Sequence, residues 1–597
     1  MFVRRLAALL ACTALLLLGG RAQPVNAPLL SIEELKPGQR GEVWTVFKGS
    51  TPEAFAVTVT GVLRNALGPG KNMILCELTD PRVQSMGAVA GMSGSPLYID
   101  GRLAGVLSYQ IQRFETVRHA GFTPIGDMLE LSTLPALPTA PALPVPAMPV
   151  KGAREARNSV SAHPAPATAN ADYQVLTPVF SVSGIAPETA LLADSWLRPL
   201  GLNLTALGGS SAPGDATAAP TKSLIPGGVV AAALATGDIS IAATGTVSHV
   251  DGNRILAFGH PMMSLGATEL PMTEAEVVTI LPSQLNSVKV ANTGRIIGAF
   301  SQDRLSGVYG EIGRQPAMVD VEVNLPNRLK RQSLRFSVVR QEFILPALAA
   351  TGLTQAVTGS NEAGLTRGFR LTTSVDYAGR PPVRLSRIYP GPQGFTAGAG
   401  EFVAALQQLL FNPFERTFPE RIRFDVEETP DIPVGLVENF QVSRSATAPG
   451  STLSATITWR AFQRESESRT LTIPVAAEWA GKDLEVVLAT GPALDELTGR
   501  PKVPSPADQS SFADYLEVLG RARATDGLYL AVIERARLFT DQRDQTRDLP
   551  GSFERIARTA DEARFQRRDA AVPLWETRLL DGRLFNAVVR RPLSVTD

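Results

Sequence analysis

The run Gly91-Met92-Ser93-Gly94-Ser95-Pro96, continued by Leu97-Tyr98-Ile99-Asp100-Gly101-Arg102-Leu103-Ala104-Gly105-Val106, reads as a serine in a tight turn mounted on a β-hairpin. Glycines at 91 and 94 let the backbone bend sharply around Met92 and bring amide N–H groups close to Ser93, as an oxyanion site beside an attacking hydroxyl requires. Asp100-Gly101 between two apolar runs is a two-residue hairpin signal. Outward from this stretch, short β-type runs separated by glycines (Val43 to Phe47, Phe55 to Leu63, Met73 to Leu78, Leu97 to Ile99, Leu103 to Tyr109) predict a small antiparallel barrel or sandwich.

The order G-x-S-G-x-P, hairpin, then Gly101-Arg102-Leu103-Ala104-Gly105-Val106 is similar to the nucleophile region of chymotrypsin-like serine proteases. It is closer still to the SpoIVB family of serine peptidases (S55), whose members carry G-M-S-G-S-P. A second block resembles the same family. Gly245-Thr246-Val247, a hairpin at Asp251-Gly252 and Leu256-Ala257-Phe258-Gly259-His260 look like its segment G-T-x, hairpin, A-L-G-H, which supplies the catalytic histidine. Pro226-Gly227-Gly228 upstream and Gly307-Val308-Tyr309-Gly310 downstream are further matches. Asp80, in Leu78-Thr79-Asp80-Pro81, stands thirteen residues before Ser93, as the aspartate of the family's T-D-P stretch precedes its serine. The resemblance implies that Ser93 is the nucleophile, His260 the general base and Asp80 the carboxylate that orients it. Backbone N–H groups of Ser93 and the Gly91 side of the turn would stabilise the oxyanion, with no cofactor and no metal. It covers residues 40–130 and 225–330. Here the serine block precedes the histidine block, the reverse of the family order, and no PDZ-like insertion is visible; a permuted chain keeps the chemistry if the two blocks share one site.

The residues by themselves leave alternatives open. A serine hydroxyl needs a nearby base, and the chain has four histidines. His163 lies in a Pro-rich stretch, His119 sits near the end of the serine block, His249 lies in a strand, and His260 is bracketed by glycine and proline in a defined turn. Asp80 is also an ordinary Asp-Pro turn starter, and Asp238 and Asp251 are rivals. Ser95 is a rival nucleophile, but the following Pro96 restricts it to extended geometry.

The chain has 597 residues, with 57 basic and 57 acidic side chains, so no domain-scale basic excess exists to attract nucleic acid. Arg4-Arg5, the apolar run Leu6 to Leu18 and the small residues to Ala27 read as a secretory signal peptide, and the expected location is exported: periplasmic, envelope-associated or secreted. The apolar run continues past Cys12, which argues against a lipoprotein. Removing the leader would leave Cys76 alone, in an apolar run, as a buried structural thiol.

The expected architecture is mainly β. Residues 1–27 are the signal peptide, 28–134 the serine block, 135–172 a Pro/Ala-rich linker and 173–345 the histidine block. The two blocks together form one chymotrypsin-like, S55-type barrel unit. Residues 346–425 are mixed α/β, 426–485 a β-sandwich-like domain, and 486–597 a mixed, partly helical region with a charged helix over 553–568. A further helix is expected over Thr273–Ile280. The function this supports is a serine endopeptidase acting on specific envelope or secreted proteins. The rival is a non-catalytic envelope scaffold built on a protease-like barrel.

Overall fold

The computed structural model describes residue 24 and most of 26–596; the longer stretches outside it are 136–172, 211–222, 360–367, 500–508 and 553–564. Most of the leader, nearly all of the linker with His163, and the first part of the expected 553–568 helix therefore lie outside the described residues.

The five predicted strands of the serine block are all present, each within two residues of its expected bounds except that the first starts three residues earlier. They are β1 (Arg40–Thr45), β2 (Glu53–Leu63), β3 (Met73–Leu78), β4 (Pro96–Ile99) and β5 (Arg102–Ile111); a sixth strand, β6 (His119–Pro124), is not among the expected runs. They run β4-β1-β2-β3-β6-β5, and β4 pairs with β5 to close a six-stranded barrel without exposed edges. Alternation turns Val43, Phe55, Val57, Val59, Ile74 and Cys76 into its core. Burying each large apolar side chain contributes about 1.5–3 kcal/mol. Asp100 and Gly101 both take positive φ (49° and 74°), as a two-residue hairpin of matching twist demands.

The histidine block belongs to a fourteen-stranded sheet that starts near Phe180 and extends to Arg421–Glu428. Residues 346–425 do not stand apart from it. Strand Arg421–Glu428 pairs in parallel with Met318–Pro326, and the helices Ile344–Thr358 and Gly391–Leu410 share the same core. Helix Ile344–Thr358 is buried at thirteen of its fifteen positions, which makes it an interior helix rather than an amphipathic cover.

Thr273–Ile280, expected as a helix, is part of strand Gly266–Leu281, paired with Val288–Arg304. The β-branched run Val277-Val278-Thr279-Ile280 favours the pleat, and the acidic residues that suggested a helix start reach across the ladder instead, Glu274 to Arg295 at 3.3 Å. The C-terminal sandwich also extends further than 485. Strands Gly435–Val442, Thr452–Ala461 and Ser466–Pro474 share a core with Asp483–Ala489, Leu528–Asp541 and Val588–Val595. Residues 565–568, expected to be helical, begin strand Phe565–Leu579; helices among the described residues of this region include Gly491–Leu497 and Phe512–Gly520.

Candidate active site

The serine turn hangs between β4 and the segment that follows the short helix Pro81–Met86, and its glycines are required by geometry. Gly91 and Gly94 have φ of 97° and 93°. Three N–H groups of the turn are committed to the fold: Met92 donates to the Val89 carbonyl at 2.9 Å, Gly94 to Leu107 at 2.7 Å and Ser95 to Met92 at 3.0 Å. Among the described residues, the N–H groups of Gly91 and Ser93 reach no acceptor. The expected oxyanion donors on the Gly91 side and at Ser93 are thus available, whereas those of Met92 and Gly94 are spent holding the turn. The Ser95 hydroxyl donates to the Met92 carbonyl at 2.6 Å, a structural role that occupies it.

The histidine block docks directly on this turn. Thr246 N–H donates to the Ser93 carbonyl at 2.8 Å, the Ser248 hydroxyl to the Gly94 carbonyl at 2.9 Å and the Thr246 hydroxyl to the Gly91 carbonyl at 3.3 Å. A Cβ on Gly94 would run into the Thr246 carbonyl and stand 2.5 Å from the Phe258 nitrogen, so only glycine permits the approach. Phe258 and Gly259 both have φ of 69°, and this left-handed kink, costly for a phenylalanine, delivers His260. The Thr123 hydroxyl at the end of β6 fixes the kink by donating to the Gly259 carbonyl at 2.6 Å.

His260 is fully buried, and burial pushes its pKa down to about 4. Its Nδ1 lies 2.8 Å from the Pro261 carbonyl. A carbonyl only accepts, so Nδ1 carries the proton and Nε2 holds the lone pair. Among the described residues that Nε2 is buried without a hydrogen-bond partner. Ser93 is 1% exposed, and among the described residues its hydroxyl is not hydrogen-bonded to His260. The structure therefore packs the two turns together without a Ser93–His260 hydrogen bond.

Asp80 is elsewhere. Its carboxylate caps helix Pro81–Met86 by accepting from Arg82 N–H at 2.9 Å and pairs with the Arg82 side chain at 3.1 Å. Burial works to raise its pKa, but these Arg82 bonds prevail and hold it below the usual value. Leu78, two residues before it, bonds to Arg118 at one end of β6, and Thr123 meets Gly259 at the other, a separation on the order of 16 Å along the strand. No carboxylate of a described residue meets the His260 ring. The rivals are no closer to that role: Asp238 accepts from Arg335 N–H at 2.7 Å, and Asp251 sits exposed in its hairpin turn, 3.9 Å from Arg254. His119 Nδ1 lies 3.0 Å from the Val117 carbonyl at the distant end of β6, and His249 stands opposite Leu256 in its hairpin.

Two residues that motif reasoning passed over belong to this neighbourhood. Asp303 is fully buried and accepts from the N–H groups of Met262, Met263 and Leu265 at 2.7, 2.9 and 3.1 Å, so it clamps the loop that follows His260. Lys289 is 2% exposed, and its N–H donates to the Ala90 carbonyl at 2.9 Å, next to Gly91. Asp303 leaves no local signal; Lys289 does, since it occupies the same strand parity as buried Ala291 and Thr293.

Residues 22–114 match the SpoIVB peptidase S55 family. The match contains Ser93 and Asp80 and ends before the histidine block, and it supports peptidase chemistry on protein or peptide substrates. Searches of curated proteins and of solved structures find no match.

Proposed function

We propose that this chain is an exported serine endopeptidase of the SpoIVB type, with Ser93 as nucleophile and His260 as general base. The observation that carries the reading is the buried, unpartnered Nε2 of His260 on a strained turn packed against the turn that bears Ser93. In a catalytic triad the carboxylate fixes the imidazole tautomer. Here the Pro261 carbonyl performs that task. Ser93 Oγ attacks the peptide carbonyl carbon while its proton passes to Nε2, and the carbonyl oxygen becomes an oxyanion facing the Gly91 and Ser93 N–H groups. Collapse breaks the C–N bond, the imidazolium gives its proton to the leaving amine, and water repeats the sequence on the acyl-enzyme. The leader-like residues 1–27 support export, which makes envelope or secreted proteins the substrate class.

A second reading, a non-catalytic scaffold, draws on one observation: both Ser93 and His260 are closed off from solvent. A fluorophosphonate probe separates the two. The enzyme reading expects the purified mature protein to be labelled, Ser93→Ala to abolish labelling and His260→Ala to slow it about 100-fold or more. Ser95→Ala should still label, because Ser95 N–H keeps the Met92 carbonyl paired. Folded wild-type protein that stays unlabelled from pH 5 to 9 would make the scaffold the better description.

A further inference from the structure

Lys289 is buried in the wall of the serine turn, and among the described residues its ammonium has no counter-charge. It lies on strand Val288–Arg304, and a backbone bridge ties that strand's start to Ala90. The side chain then runs across Gly91: Lys289 Cβ, Cδ and Cγ stand 2.8, 3.5 and 3.6 Å from where a Cβ on Gly91 would be. Among the described residues its Nζ has one partner, the Thr45 hydroxyl at 3.2 Å. Thr45 itself is fully buried in β1, and β1 pairs with β4 through Val43 and Leu97. Lys289 thus reaches from Gly91, where its stem lies against the serine turn, to Thr45, where its ammonium ends.

Isolated ammonium groups are expensive in a protein interior, and a site that retains one gains something the fold alone does not supply. The elements around Lys289 offer no compensating charge. The turn 87–95 contains no titratable side chain. On β1, Arg40 and Glu42 lie further down the strand, and Glu53, level with Thr45 on β2, pairs with Arg82. On strand Gly266–Leu281 the residue opposite is Ile280, while Glu274 is paired with Arg295. Among the described residues no carboxylate is within ion-pair reach of Nζ.

We infer that Lys289 is a catalytic residue of this site, its ammonium completing the oxyanion pocket with the Gly91 and Ser93 N–H groups so that the missing counter-charge is the oxyanion of the tetrahedral intermediate. The inference rests on Ser93 being the nucleophile. In a water-excluded pocket, such a fixed positive group acts on charge that develops only in the transition state. Burial pushes Lys289 down to about 7 and His260 to about 4. Catalysis needs the lysine charged and the imidazole neutral, so the working window lies between these values, on the acid side of neutrality.

The test is the rate of fluorophosphonate labelling against pH, with melting temperature recorded for each protein. For the wild type the rate should level off between about pH 5 and 6 and then fall about tenfold per unit above Lys289's pKa. Lys289→Met, an apolar replacement of similar length, should keep the fold, label about 100-fold more slowly and lose the alkaline fall. A wild-type rate that instead rises through pH 7 would make Lys289 a proton acceptor and overturn the inference. So would a folded Lys289→Met that labels like the wild type. The wild-type profile needs no variant, so it decides even if Lys289→Met does not fold. Absence of labelling in the wild type at every pH would remove the reading beneath it as well, an outcome distinct from both others.

Discussion

His260 couples the site to stability through a sign that can be worked out. Its folded-state pKa of about 4 lies below the ordinary 6.5, so between these values the unfolded chain binds a proton that the folded chain refuses. Its contribution is intact above about pH 6.5 and is lost as pH falls towards 4, amounting to about 3 kcal/mol at 1.36 kcal/mol per unit. Urea midpoints at pH 7 and pH 4 should show this loss, and His260→Gln should flatten it; an unchanged acid limb in the variant would place the effect elsewhere. The pull of Lys289 has the same direction at higher pH, its burial cost easing as pH climbs from about 7 to 10.5. At this scale the sequence was legible where chemistry demands particular backbone. The glycines around Ser93 and the kink before His260 are needed for close approach whatever the rest of the chain does. Asp80 illustrates the opposite case, because one Asp-Pro pair serves equally as a helix cap and as a catalytic carboxylate, and only the Arg82 bonds and the distance along β6 distinguish them.

Elements were readable from local periodicity and misread where charge imitated a capping signal. The serine-block strands alternate cleanly and carry hairpin turns of the right chemistry, so period and punctuation agree. In Thr273–Ile280 the acidic residues resemble a helix start, yet their partners are arginines on or beside neighbouring strands, Arg295 for Glu274 and Arg314 for Glu269 just upstream. No local rule anticipates a partner twenty or more residues away. Helix Ile344–Thr358 gives this packing a measurable edge. A Cβ on Gly352 would enter the ring of Phe336 on the adjacent strand, so Gly352→Ala should cost about 1–3 kcal/mol by overpacking. Gly126→Ala, in helix Ile125–Leu129 with open space at its Cβ, should be neutral or gain up to about 1 kcal/mol. Chemical denaturation of the two variants reports the contrast, and equal effects would mean that the Phe336 contact does not limit the helix.

Across the whole molecule, the serine and histidine blocks are interleaved by contacts that no sequence window contains. Besides the bonds at the serine turn, Gly49 exchanges both backbone hydrogen bonds with Val277 at 2.7 and 2.9 Å, and Ala90 N–H donates to the Ser287 carbonyl at 2.9 Å. Apolar side chains cross the junction too, since Trp44, Tyr98 and Val106 of the barrel pack with Leu256 and Tyr309. A covalent link through residues 136–172 then adds effective concentration but no geometry of its own, because the docked surface already fixes the register. A protease site engineered into 136–172 should therefore yield, after cleavage, two fragments that elute together in size exclusion and retain fluorophosphonate labelling. Gly94→Ala should undo this. Its added methyl group drives the serine turn off Thr246 and Phe258 while φ at 94 stays positive, at a cost of about 3 kcal/mol or more. Cleaved Gly94→Ala protein should separate, or lose labelling at concentrations where the cleaved wild type keeps it. If the cleaved wild type itself separates into two folded pieces, the blocks are independent domains, and the Ser93 and His260 turns meet too weakly to form one catalytic centre.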